Sequence, residues 1–418
     1  MRAVAIVDGE HYPPVVRDAI AELADDVVAA VLVGGTEKLR GGLDYGVPLS
    51  ASVEEAIAAY APEVVVDLSD EPVLGPVERM SLASRVLVLG IPYVGADFRL
   101  EPPPREPIDL PSVAVAGTGK RVGKTAVTGR LARLASDHKR VVVVAMGRGG
   151  PVEPEIVSVQ PTVGSLIALS REGRHAASDH LETAALVGVE TVGCRRCGGG
   201  LAGAVAVSNV ADGVRVAASL EPELLVLDGS GAALPPVAAD RTIVVVGAHQ
   251  DPAVATGYLN EFRLRLADLV LITMAEHEAR LRELEDAVRR IVGDGVAVVA
   301  SVLRPRPLGD VRGRTVAYFC TAPKASHATL ASHLAVVYGA ETVHVSGNLA
   351  DRQALADELS HVDADVFLVE LKAAAIDVVA ERALDRGVDV MLAANDPIAV
   401  PGEPDLDANL LEMSGIRP

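Results

Sequence analysis

Residues Gly117-Thr118-Gly119-Lys120-Arg121-Val122-Gly123-Lys124-Thr125 lie between the apolar run Pro111-Ser-Val-Ala-Val-Ala and the amphipathic run Ala126-Val-Thr-Gly-Arg-Leu-Ala-Arg-Leu. A strand, a glycine-rich turn and a helix start, in that order, form a phosphate-binding loop. The glycines let the backbone approach phosphate oxygens, and the first helical turn offers free amides and a positive dipole end. Lys124 is then placed for the β- and γ-phosphates and the Thr125 hydroxyl for Mg²⁺, with Lys120 as a second cation in the loop. The chain is expected to use a nucleoside triphosphate.

A second chemical feature is Leu224-Leu-Val-Leu-Asp228-Gly-Ser230-Gly. Apolar residues ending in an aspartate make a strand that delivers a carboxylate beside Mg²⁺, and the glycines allow a sharp turn next to substrate. An aspartate that merely caps the next turn is the alternative. The run ending in Thr273-Met274-Ala275-Glu276 falls where related GTPases carry Asn-Lys-x-Asp. Threonine and methionine there remove the groups that recognise guanine, which predicts ATP. The phosphate loop has five residues between Gly117 and Gly123. In this it resembles the loops of dethiobiotin synthetase and cobyrinate amidase relatives.

Between these two features lie Met146-Gly-Arg148-Gly-Gly-Pro, His175-Ala-Ala-Ser-Asp-His180 and Gly193-Cys-Arg195-Arg196-Cys-Gly-Gly-Gly. Cations grouped in glycine-bearing loops of an acidic chain suit a polyanion, since arginine forks match phosphate and carboxylate bidentately. The acceptor is expected to carry several phosphates or carboxylates, held by Arg148, His175, His180, Arg195, Arg196 and Ser230. Cys194 and Cys197 have the spacing of half a zinc site, which His175 or His180 could complete. Two arginines between them oppose a cation, so they are read as small residues shaping a loop. Lys372 follows another apolar run and is either a further contact to the polyanion or the cap of a sheet edge. Asp8, Glu10 and Asp70 also follow apolar runs, as a second ligand surface or as helix caps.

The elements needed to position these groups alternate strand and helix throughout, which implies parallel sheets in an α/β architecture. Residues 1–100 are expected to form an N-terminal Rossmann-like domain. Residues 101–111, with five prolines, read as a linker. Residues 112–340 read as a P-loop NTPase domain with a parallel sheet, and 341–418 as a C-terminal α/β extension. No apolar run approaches the ~20 residues of a membrane span. A net charge of −19 argues against nucleic acid. Three cysteines exclude a disulfide scaffold and imply a cytoplasmic protein. A homo-oligomer is left open.

Taken together, Val7-Asp-Gly-Glu-His-Tyr-Pro-Pro, Gly117–Thr125, Ala145-Met-Gly-Arg-Gly-Gly-Pro, Val192-Gly-Cys-Arg-Arg-Cys-Gly-Gly-Gly, Asp228-Gly-Ser-Gly-Ala and Glu370-Leu-Lys-Ala-Ala-Ala resemble the cyclic 2,3-diphosphoglycerate synthetase family. The resemblance implies an ATP-dependent synthetase that closes an intramolecular phosphoanhydride in 2,3-diphosphoglycerate, releasing ADP and phosphate. Lys124, Lys120, Asp228 and Arg148 are the expected catalytic residues. Two other readings remain at this point. One is an ATP-dependent ligase of the dethiobiotin or cobyrinate kind. The other is a nucleotide-gated metallochaperone that uses Cys194 and Cys197.

Overall fold

The apolar runs Ser112–Gly117, Val141–Gly147 and Leu224–Asp228 show no alternation and are buried along their whole length. That is the pattern of parallel strands covered by helices on both faces. A computed structural model describes residues 1–39, 43–276 and 278–417 of the chain. It contains a small six-stranded sheet, a large thirteen-stranded sheet and a short two-stranded pairing.

The small sheet is N-terminal. Its strands run in the order Leu49–Ser50, Asp26–Leu32, Arg2–Val7, Val64–Asp67, Tyr93–Val94, Arg99–Leu100. All neighbours are parallel except the last pair, which is the Rossmann-like order expected. Helix Pro76–Val88 joins this domain to the next. Its Ser81 hydroxyl donates to Glu261 Oε1 at 3.0 Å, and Leu82, Leu259 and Phe262 share one core. The proline-rich linker is tied down as well, since Glu106–Pro107 pairs with Val237–Ala238.

The large sheet begins with the P-loop strands, ordered Glu155–Val157, Glu190–Cys197, Val141–Gly147, Leu224–Asp228, Ser112–Gly117, Arg241–Gly247, Leu269–Thr273 and Ala297–Pro307. All but the first are mutually parallel. The last strand is shared. Ala297–Ala300 pairs in parallel with Leu269–Ile272, while Ser301–Pro307 pairs antiparallel with Ala393–Ala399. From there the sheet continues through Val366–Glu370, Thr315–Phe319 and Glu341–Ser346, all parallel to Asp389–Ala399. Strand Thr315–Phe319 is thus hydrogen-bonded into the C-terminal group, so the expected boundary at 340 falls inside that sheet.

The antiparallel junction has a consequence for function. The C-terminal strands run against the P-loop strands and lie beyond their carboxyl ends, with Pro307 and Glu370 both opposite Ala393. The carboxyl ends of the two parallel sheets therefore face each other. Ligands of open α/β sheets bind at that edge.

Two long-range contacts hold the arrangement. Asp396 accepts from Arg130 (3.1 Å), Arg133 (2.9 Å) and Arg306 (3.2 Å), linking the P-loop helix Lys124–Ser136 to both strands of the junction. Helix Leu406–Met413 returns to bury Leu406, Leu410 and Met413 against Leu131. No described helix is long and apolar enough to cross a membrane.

Candidate active site

The phosphate loop is locked from below. Thr118 N donates to Val245 O (3.1 Å) and its hydroxyl to Gln250 Oε1 (2.6 Å), which also accepts from Gly247 N (3.0 Å). The Thr273 hydroxyl donates to the Val122 carbonyl at 2.7 Å. Thr273, considered above only for base choice, therefore supports the loop. Gly123 has φ +85, and a Cβ there would meet Thr273 and Leu303 at 3.2 and 3.3 Å. Only glycine fits that turn without strain.

Lys124 is 8% exposed, and its ammonium curls over the loop to donate to Gly119 O at 3.0 Å. Burial pulls it down to about 8, with Arg148 and Arg196 adding to the effect while Asp228 and Asp179 oppose it. Asp228 ends its strand buried and accepts from the Thr128 hydroxyl at 2.9 Å. Burial and the neighbouring Asp179 push its carboxyl up to about 7, against Lys124. Displaced values of this kind cluster at functional sites.

Arg148 and Arg196 converge on Gly231, where a Cβ would lie 2.8 Å from one guanidinium and 3.2 Å from the other. Arg196 donates to the Ser230 carbonyl (2.8 Å) and hydroxyl (3.3 Å), and its Nε is buried without a partner. Among the described residues, the side chains of Lys120, Arg121, Arg148 and Arg195 form no hydrogen bond or ion pair. Buried Arg263 holds the surrounding loops by donating to the carbonyls of Ala232 (2.7 Å), Leu259 (2.8 Å) and Leu201 (3.0 Å).

The structure adds carboxylates that no motif announces. Helix Asp179–Val187 brings Asp179 beside Gly147, whose Cβ would lie 3.1 Å from Asp179 Oδ2. One turn on, Glu182 faces Lys372, with Nζ to Oε1 at 3.8 Å. Burial raises Glu182 to about 7, and Glu182 in turn raises Lys372. Glu370 accepts from Tyr318 (3.0 Å), Thr321 (3.1 Å) and Asn395 (2.7 Å). Thr125, Glu182, Arg306, Glu370 and Lys372 line one cleft, so the C-terminal sheet contributes directly beside the phosphate loop.

Other expected residues are placed differently. His175 lies against Gly149, next to Arg148. His180 instead sits on the helix under Gly193, buried, with Nε2 unpartnered and 4.0 Å from Glu155. Residues 190–197 form a strand rather than a loop, so side chains three apart face opposite sides. Cys194 is buried against Gly213 and Cys197 is exposed, so the two thiols do not form a ligand pair. Asp8, at the first strand tip, accepts from the amides of Glu10 (2.9 Å), His11 (3.1 Å) and Asp70 (2.7 Å) and from the His11 ring (2.9 Å). It is a structural acceptor that ties two loops together.

Family models match nearly the whole chain. They are the N-terminal domain of cyclic 2,3-diphosphoglycerate synthetase over residues 2–101, its P-loop domain over 112–302 and its C-terminal domain over 307–396. A cyclic 2,3-diphosphoglycerate synthetase of Rubrobacter xylanophilus is 50% identical over 434 residues, covering 99% of this chain and 97% of that one. One of Methanothermus fervidus is 40% identical over 430 residues, covering 96% and 93%. The solved structure of LpxK from Aquifex aeolicus in complex with ATP is far more distant. It is 14% identical, with a TM-score of 0.42 over 75% of this chain and 90% of that one. A nucleotide-binding P-loop domain between two partner domains, matched in order from residue 2 to 396, places the chain in the cyclic 2,3-diphosphoglycerate synthetase family.

Proposed function

We propose that this enzyme uses Mg·ATP to close a phosphoanhydride between the 2- and 3-phosphates of 2,3-diphosphoglycerate, releasing ADP and phosphate. The observation that carries the reading is the set of cations without protein partners around Lys124. Lys120, Arg121 and Arg148 stand free in a chain of net charge −19, where carboxylates are abundant. Free guanidinium and ammonium groups concentrated there suit a substrate with two phosphates and a carboxylate.

Two steps account for the products. The γ-phosphoryl passes to an oxygen of one substrate phosphate as its bond to ADP breaks. An oxygen of the other substrate phosphate then attacks the phosphorus so activated, and the transferred group leaves as inorganic phosphate. Lys124, Lys120 and Arg148 neutralise the developing charge, and Arg196, fixed by Ser230, holds the second phosphate close to the first. No side-chain nucleophile is needed.

Mg²⁺, when bound, supplies Lewis-acid neutralisation of the β- and γ-phosphate oxygens. Asp228 and Thr125 fit it, since Asp228 is a buried carboxylate whose one hydrogen-bond partner among the described residues is the Thr128 hydroxyl. Among the described residues no three His, Cys, Asp or Glu side chains form a metal-holding group. One carboxylate plus substrate phosphates is the usual provision for Mg²⁺. An enzyme drawing on ATP in this way works in the cytoplasm.

ADP release tests the reading. Release should require 2,3-diphosphoglycerate and fall by about 10²–10³-fold in Lys124→Ala. An ADP rate independent of the acid would reject it.

A further inference from the structure

We infer that a cavity of about 210 Å³ between residues 170–177 and the C-terminal sheet is a docking subsite for the phosphorylated acid. It would grip the acid's carboxylate, the end remote from the two phosphates that join, through Arg352, Arg174 and His175. The inference rests on the function proposed above and locates its substrate.

The sheet topology makes the crevice. The C-terminal strands lie in the order Asp389–Ala399, Val366–Glu370, Thr315–Phe319, Glu341–Ser346. The chain moves outward from Thr315–Phe319 to Glu341–Ser346, then crosses back to Val366–Glu370. The cavity lies at the carboxyl end of this sheet, the edge at which open α/β sheets bind ligands. Leu349 and Ala350, beyond one strand end, and Ala373 and Ala374, beyond the other, line the cavity.

The backbone there is irregular. Ala373 has φ +45, a costly conformation for a residue with a Cβ. Residues Ala375–Ala380 form a π-helical segment, with Val379 N donating to Ala374 O at 3.2 Å. Both irregularities are typical of functional positions.

The wall carries Arg174, His175 and Arg352 against one acid, Asp377. Arg352 is 2.6 Å from Asp377, and Arg174 is 3.0 Å from Glu155. The arginines are 62% and 51% exposed, and ion pairs so exposed are weak enough for an incoming phosphate or carboxylate to replace. His175 also borders Gly149, whose Cβ would lie 3.4 Å from its Cδ2. The subsite therefore adjoins Arg148, and an acid anchored in it extends toward the phosphate loop.

The test measures 2,3-diphosphoglycerate binding by calorimetry, with steady-state kinetics, on the full chain. Arg352→Ala should weaken binding and raise KM for the acid about ten- to a hundred-fold, leaving kcat and KM for ATP within about two-fold. Asp377→Asn, which frees Arg352, should tighten binding, a gain that a structural defect would not produce. If both variants bind the acid as the wild type does, while the wild type forms the cyclic product, the subsite is refuted and the function stands. If the wild type forms no cyclic product, the function fails and the subsite with it.

Discussion

Lys372 Nζ, just beyond the C-terminal strand Val366–Glu370, lies 3.8 Å from Oε1 of Glu182 on the helix Asp179–Val187. The pair joins the two facing sheet edges beside the phosphate loop. Glu182 is almost wholly buried and is raised to about 7 from an ordinary 4.5. The folded protein therefore binds its proton more tightly than the unfolded chain does. The cost of ionising Glu182 is absent below about pH 4.5, grows as pH rises and is complete above about 7. Lys372→Ala removes the compensating charge and should lower stability by about 1–2 kcal/mol at pH 8, with no change near pH 4. Adding Glu182→Gln should restore it. Denaturant melts at the two pH values decide the matter.

Lys124→Ala should lower kcat by about 10²–10³-fold with the fold intact by circular dichroism. In the proposed reaction the ammonium neutralises the developing phosphoryl charge, and among the described residues its one hydrogen bond goes to a loop carbonyl. Arg148→Lys and Arg196→Lys should each recover little of the activity lost in the alanine variants. Two forks converging on Gly231 provide bidentate geometry that a point charge does not.

Cys197→Ser should be neutral, and zinc should not copurify in stoichiometric amount, because the two thiols face opposite sides of a strand. Gly213→Ala should be strongly destabilising, since a Cβ there would overlap the Cys194 sulfur. Gly213→Ala combined with Cys194→Ala should recover most of that loss. Additive losses in the double variant would contradict this contact.

Asp8→Ala should cost about 3 kcal/mol or more, because three backbone amides lose a charged acceptor. Burial alone would raise this carboxyl, but the hydrogen bonds from His11, Asp70 and Glu10 outweigh it and hold it below its usual range. Its contribution is therefore present above an unfolded value of 3.8 and lost as pH falls through the lower folded value. Glu10→Ala and Asp70→Ala variants with unchanged substrate affinity and turnover would confirm that this edge is structural.

The phosphate loop, and the placement of Asp228 and Arg148 at strand ends, were legible because each is a local pattern closing an apolar strand. The N-terminal strand order followed from the same alternation. Asp179 and Glu182 were not legible: their helix reaches the loop only through packing between distant segments. Arg263 was hidden because its partners are mainly backbone carbonyls, those of Ala232, Leu259 and Leu201, that no side-chain pattern records. The glycines and arginines around Cys194 suggest a loop, but pairing with Val141–Gly147 on one side and Glu155–Val157 on the other overrides that local preference. The grouping of Thr315–Phe319 depends on a strand shared by two sheets, which sequence order does not reveal.

The central claim is tested most directly by ³¹P NMR of the purified protein with Mg·ATP and 2,3-diphosphoglycerate. Formation of a cyclic phosphoanhydride predicts new upfield pyrophosphate-like signals that grow in step with ADP and inorganic phosphate. These signals should be absent with Lys124→Ala. ATP left intact, or hydrolysed while the diphosphoglycerate signals stay unchanged, would contradict the account.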